Sequence, residues 1–362
     1  MTALSKSRCD DGPSPELPPV LNAAPIRAID VFCGIGGLSY GLRSAGIEVV
    51  LGLDIDATCR YAYETNNAGA AFLEADIKEV AFDDFQEFYG EATVVALVGC
   101  APCQPFSSHT RRNAPDEDCE LVDEFARLVR EGSPDLVSME NVPGLAKHES
   151  FHSLLELLRD LQYHVDYGVI NFFDYGVPQH RRRLLMVASR RGPATLPDPT
   201  DRGGSVADFI ADLNPIPAGR TCAEDPAHTT LPLSATNLKR IQQSKPGGSW
   251  KDWDESLVNP CHKRAHYPAP YGRMKWDAPA PTITTQFCYY STGRFGHPDQ
   301  DRAVSVREAA LLQTFPPDYD LVDPEAELPI CKLARHVGNA VPVKIGELIG
   351  SSLVRACAHN HA

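Results

Sequence analysis

Strand–helix alternation over the first 190 residues is the feature that most limits what this chain can become. Apolar runs IRAIDVF (26–32), IEVVLGLD (47–54), VVALV (94–98), DLVSME (135–140), HVDYGVINF (164–172) and RLLMVAS (183–189) have the length of buried strands. Between them the apolar period lengthens. Leu38, Leu42 and Ala45 share a helical face, Asp56 caps a helix running toward Asn66, and further helices fall around Leu121–Val129 and Phe151–Leu161. This pattern predicts an α/β fold, a doubly wound Rossmann-like sheet. Near residue 190 the alternation stops, and the stretch to about 300 is rich in Pro, Gly and short polar runs. Helical signals return at Val306–Leu312 and Val343–Val354. The expected organisation is therefore a polar, Pro-rich leader (1–24) without fixed structure and a first, α/β domain (25–190). A smaller, loop-rich domain (191–330) follows, and a final segment (331–362) returns to the first domain.

Charge is informative once divided. Residues 1–150 hold 11 Lys+Arg against 25 Asp+Glu, and the remainder holds 23 of each. Two stretches of the second half are locally basic. One is 177–197, with Arg181, Arg182, Arg183, Arg190 and Arg191 and no acid; the other is 235–275, with eight Lys+Arg against three acids. On charge alone a solvated face explains them better than a polyanion surface. No run approaches the ~18 apolar residues of a membrane span, and the N-terminus lacks the apolar core of a signal peptide. With 11 scattered cysteines, this points to a cytoplasmic, reduced protein without a disulfide framework. Cys100 and Cys103 have C-x-x-C spacing, but no second Cys/His pair at zinc-like spacing follows, so no metal is expected.

Sites in such a sheet lie at the carboxyl ends of its strands. After the first strand comes DVFCGIGGLSYGL (30–42), where Gly34, Gly36 and Gly37 let backbone approach a ligand closely. Asp54 ends the second strand twenty residues beyond Gly34, placed to bind ribose hydroxyls, and Asp76 ends the third. A glycine turn with a ribose acid points to an adenosine-containing cofactor. Ser39, standing where a dinucleotide fingerprint has glycine or alanine, weighs against a nicotinamide dinucleotide. In VVALVGCAPCQPFSSH (94–109), Cys103 follows a buried strand in a loop stiffened by Pro102 and Pro105.

The motifs DVFCGIGG, GCAPCQPFS, ENVPG (140–144), VPQHRRR (177–183), REAALLQTFP (307–316) and HVGNAVP (336–342), in that order, make the chain resemble the DNA cytosine-C5 methyltransferases. It departs from that pattern at Ala101 and Val343, where the family often has proline, and neither is a reacting group. The resemblance implies S-adenosyl-L-methionine as methyl donor, with Phe32, Gly34, Gly36, Gly37, Leu38, Asp54, Ile55, Asp76, Ile77, Asn339 and Val341 around it. It implies Cys103 as the nucleophile that adds to cytosine C6, and Glu140 as the acid at the N3/N4 edge. Arg183 would sit near O2, and Arg181 would orient the acid or a phosphate. Cys100 is expected only to pack, and Arg182 to point to the opposite face. Double-stranded DNA is the implied partner, its target base flipped out. Ser107, Arg111 and Arg112 would lie on a closing loop (107–119), with Gln179, Lys263 and Arg264 as further DNA contacts. Region 191–330 would choose the target, and the aromatics of 282–298 serve there as core or as stacking platforms. The implied protein is a monomeric modification enzyme of a restriction system. A tRNA-methylating relative is the alternative, as is a non-catalytic DNA-binding paralogue. The first lacks a convincing C-F-T signature here (Phe287-Cys288-Tyr289 is nearest), and intact Cys103, Glu140 and Arg183 weigh against the second.

Overall fold

The computed structural model describes residues 25–102, 120–200, 202–259, 262 and 270–358. Its centre is a seven-stranded sheet of β1 (Ile26–Val31), β2 (Glu48–Asp54), β3 (Ala71–Glu74), β4 (Val94–Gly99), β5 (Leu136–Asn141), β6 (His164–Asn171) and β8 (Arg182–Ser189), in the order β3-β2-β1-β4-β5-β8-β6. The short β7 (Gln179–His180) pairs instead with β9 (Ala280–Pro281). The strands from β3 to β5 run parallel, as the alternation predicts. β8 does not: it is antiparallel to both β5 and β6. The reversal follows from connection length. Only the short Phe172–Tyr175 turn and β7 separate β6 from β8, and a parallel return needs a dozen or more residues.

Side chains alternate between two buried faces. Ala28, Val49, Ala96, Val98, Leu185 and Val187 enter one core, while Ile29, Val31, Leu51, Leu97, Val137 and Met186 enter the other. The second face is covered by the helices Glu120–Gly132 and Glu149–Asp160, through Val122, Phe125, Leu128, Leu154, Leu155 and Leu158. The first is covered by α1 (Gly37–Ser44), by the last helix (Val343–Ala358) and by much of the loop-rich region. Ile210, Met274, Ile283, Phe287, Phe295 and Val304 share that apolar core. Phe287, Tyr290 and Phe295 are buried, so these aromatics of 282–298 pack the interior; Tyr289 is exposed.

Small residues bring α1 and the last helix into backbone contact. A Cβ on Gly41 would lie 2.3 Å from the Val343 carbonyl oxygen, and one on Gly346 would lie 2.7 Å from that of Leu38. Either substitution forces the helices apart, a clash in a closely packed core. The contact delivers the turn after the preceding helix (Ile330–Asn339), a helix not anticipated from periodicity, to the carboxyl end of β1. Among the described residues no helix is long and apolar enough to cross a membrane.

Candidate active site

The strand order reverses between β1 and β4, and the cleft outside their carboxyl ends is where such sheets bind ligands. On the β1–β3 side, Phe32 adopts a left-handed backbone (φ 63), as do Gly34 (φ 51) and Gly36 (φ 86). The phenylalanine is strained there, and the glycines are not. Open space surrounds the position a Cβ would take on Gly34, whereas one on Gly37 would lie 2.4 Å from the Val341 carbonyl oxygen. Asp54 binds this loop. Its carboxylate accepts from Gly34 N–H at 2.8 Å and Asp56 N–H at 2.9 Å. Burial raises its pKa against those two donors. Asp76 accepts from Lys78 N–H at 3.0 Å and caps a short turn. Ile55 is 69% exposed beside Asp54, while Leu38 and Ile77 are buried. Asn339 is exposed at its helix end, and Val341 is buried with its carbonyl against Gly37.

Ser39 is fully buried, and its hydroxyl donates to Asp30 Oδ2 at 2.7 Å and meets the Tyr63 hydroxyl at 3.0 Å. Burial raises the Asp30 carboxyl to about 7, and its Oδ1 has no hydrogen-bond partner. The residue that breaks the dinucleotide pattern thus serves a buried acid beneath the loop. Beyond Asp54, the side chains of Asp56, Cys59 and His336 bring possible ligand atoms within 4.8 Å of one another. The Lys332 ammonium lies 2.6 Å from Asp56 Oδ2 and supplies the cation there.

On the β4–β5–β8 side, antiparallel β8 starts where β5 ends, with Asn141 opposite Leu184 and Glu140 opposite Leu185. That geometry brings Arg183 to Glu140. Its Nε lies 3.1 Å from Glu140 Oε1 as an ion pair outside hydrogen-bond alignment, so the buried Oε1 is left without a hydrogen bond. Glu140 Oε2 accepts from the Cys100 thiol at 2.8 Å. Burial, then the Glu140 charge, pushes the Cys100 pKa well up, keeping it a protonated donor. Cys100 therefore does more than pack. Asn141 was also missed: its amide donates to the Ala101 carbonyl at 2.9 Å, tying β5 to the segment that leads into Cys103.

Arg181 is buried, and burial and then the Arg183 charge lower its pKa to about 9. It donates to the Ile283 carbonyl at 2.9 Å and more weakly to that of Gly338 at 3.4 Å, and its Nε is unpartnered. Gln179 corrects an expectation. It is fully buried, donating to the Leu312 carbonyl at 3.0 Å and Gln313 Oε1 at 2.7 Å while accepting from Ile283 N–H at 3.0 Å. It presents no exposed surface to DNA. Gln313 passes the link on to the Val337 carbonyl at 2.7 Å. Cys103, Ser107, Arg111, Arg112, Lys263 and Arg264 lie outside the described residues.

Comparison with known proteins adds an independent finding. The C-5 cytosine-specific DNA methylase family matches residues 26–355. The type II methylase M.HgiDII of Herpetosiphon aurantiacus is 45% identical over 336 residues, 90% of this chain and 94% of that protein. The type II methyltransferase M.Eco47II of Escherichia coli is 29% identical, over 90% of this chain and 78% of its own. Among solved structures, a prophage-encoded DNA modification methyltransferase of E. coli superposes with a TM-score of 0.67 at 21% identity, covering 91% of this chain and 99% of that one. The Dnmt2 methyltransferase of S. pombe gives 0.61 at 18%, covering 91% and 98%. These two likenesses speak to the fold.

Proposed function

Because the chain belongs to the C-5 cytosine-specific DNA methylase family, we propose that it methylates C5 of a flipped-out cytosine in duplex DNA, with Cys103 as nucleophile and S-adenosyl-L-methionine as donor. The setting proposed is the modification arm of a restriction–modification system, in a cytoplasmic and monomeric enzyme. The observation that carries the site assignment is the buried Glu140 carboxylate, anchored at Oε2 and lacking any hydrogen bond at Oε1. Such an acceptor is costly unless a ligand donor meets it.

The cleft fits an adenosine-containing donor. Gly34 opens onto free space, the Asp54 carboxylate bonded to its N–H keeps one lone pair on each oxygen, and exposed Ile55 offers an apolar face to an adenine. When bound, the donor supplies an electrophilic methyl group on a sulfonium. The remaining work is the chain's own. Cytosine C5 is a poor nucleophile because its ring is electron-poor. Addition of the Cys103 thiolate to C6 turns the ring into an enamine, nucleophilic at C5, and loss of the C5 proton lets the thiolate leave. Glu140 holds the N3/N4 edge and stabilises the proton at N3 as the thiolate adds, with Arg183 beside it near O2. Arg181, committed to the Ile283 and Gly338 carbonyls, is assigned to positioning rather than to phosphate. The domain division at about 190 and 330 stands as part of this proposal.

Bisulfite sequencing of DNA from cells expressing the chain identifies the methylated sequence. A duplex carrying 5-fluorocytosine at that position then tests the mechanism, since fluorine cannot leave as a proton does. The enzyme should form a detergent-stable, donor-dependent adduct, Cys103→Ser should form none, and Cys100→Ser should still form one. An adduct through Cys100, or methylation by Cys103→Ser at the wild-type rate, would overturn the assignment.

A further inference from the structure

We propose that Arg182 and Arg202 form a clamp for a DNA backbone phosphate flanking the target base, an inference that rests on the DNA methyltransferase reading. Strand alternation separates Arg182 from its neighbours. Arg181 is buried and Arg183 reaches Glu140, while Arg182 is exposed on the other side of β8, paired in register with Asn171 at the end of β6. There it lines a cleft of about 520 Å³ with Asn171, Asp174, Tyr175, Thr200 and Arg202. Among the described residues neither Arg182 nor Arg202 side chain has an ion-pair or hydrogen-bond partner. Two free guanidiniums line the cleft beside Asp174, with Asp198 near enough to act on Tyr175, in a chain whose formal net charge is −14.

The second arginine is held in place by backbone. Thr200 N–H donates to the Asp174 carbonyl at 3.1 Å and Gly203 N–H to that of Phe173 at 2.7 Å, fastening this segment onto the turn after β6. Gly203 lies so near that a Cβ would be 2.0 Å from the Val177 carbonyl oxygen. Unpaired guanidinium groups suit phosphate, which they bind through two parallel N–H bonds. The location suits DNA. The cleft opens at the carboxyl end of β6 and the start of β8, where Arg182 lies one strand over from β5 and three residues beyond Leu185, the partner of Glu140, roughly 11 Å away. A duplex with its target base at Glu140 carries one charge per ~1.7 Å of axis, so flanking phosphates fall within that reach.

The test uses the full chain and a fluorescent random-sequence duplex of about 30 base pairs, with binding followed by anisotropy across salt concentrations. Arg182→Ala/Arg202→Ala should bind severalfold more weakly and reduce the slope of log affinity against log salt by about one to two units. Arg182→Lys/Arg202→Lys, which keeps the charges, should recover most of that slope, and S-adenosylmethionine affinity should be unchanged in both. Affinity and slope equal to wild type would overturn the clamp, as would a loss the lysine variant does not recover. If the double alanine variant loses donor binding and so has not folded, Arg202→Gln at the exposed lip carries the same test with about half the slope change. Absence of salt-dependent duplex binding by the wild-type protein would instead sink the DNA methyltransferase reading itself.

Discussion

The two halves of the cleft hold their acids in different ways. On the β1–β3 side Asp54 and Asp76 are gripped by main-chain N–H groups from Gly34, Asp56 and Lys78. Those donors survive any side-chain change nearby and come from the same turns or from one loop away. On the β5–β8 side Glu140 is held by the side chains of Cys100 and Arg183, from two other segments, with buried atoms on Glu140 and Arg181 left unbonded. Asp54 and Asp76 are held before any ligand arrives. The β5–β8 side is organised around a partner still to come, which is how a preorganised catalytic site differs from a binding shelf.

If that contrast is real, substitutions in the two halves should fail differently. The largest effect is expected at Glu140→Gln, which keeps shape but not charge. Its kcat should fall by about 10²–10⁴-fold with S-adenosylmethionine affinity intact, and a parallel loss of donor binding would erase the distinction. Next is Asp30, whose buried carboxyl is raised from the ordinary 3.8 to about 7. Between those values the folded protein keeps a proton that the unfolded chain has released. Stability therefore falls as pH rises from about 4 to about 7 and levels off above. Asp30→Asn removes this cost, so denaturant unfolding should show its stability gaining on wild type by up to ~1.4 kcal/mol per pH unit across that window. A pH-independent difference would mean Asp30 titrates normally.

Asp54→Ala should weaken donor binding by about 1.5–3 kcal/mol through lost ribose contacts and a released Gly34, with methyl transfer recovering at saturating donor. Unchanged affinity in a calorimetric titration would remove Asp54 from the binding shelf. The smallest effect is expected at Cys100→Ala, about tenfold in kcat for one lost donor to Glu140 with little change in KM for either substrate. Cys100→Ser, which can still donate, should restore most of it. Equal rates for the two variants would return Cys100 to simple packing.

The same contrast explains what could be read from the sequence. The six strands read from apolar runs, the glycine turn and Asp54 at its strand end are local patterns and lie where the alternation puts them. Asp76 instead falls two residues past β3 and caps a turn. The helix Val306–Leu312 matches its signal residue for residue. Cys100 was misread because its partner lies forty residues away, and no local period reports that. Gln179 was misread for the same reason. A glutamine between a proline and a run of arginines looks solvated, yet segments more than a hundred residues on enclose it. The antiparallel turn of β8 was hidden because a buried apolar strand reads alike in either direction. Ser39 could be seen to exclude one cofactor, but its bond to Asp30 could not.

The glycine-to-glycine contact between α1 and Val343–Ala358 also sets a timetable. The helix that opens the cofactor loop is among the first parts of the fold to be synthesised, and the helix that packs its face is the last one described. Because Val341 meets Gly37 beside that packing, a growing chain has Cys103 and Glu140 long before it has the finished turn at Gly37. Joining ends this far apart in sequence is a slow, late step of folding. Methylation competence therefore arrives all at once, with the closing of the ring, and not by degrees as the chain lengthens.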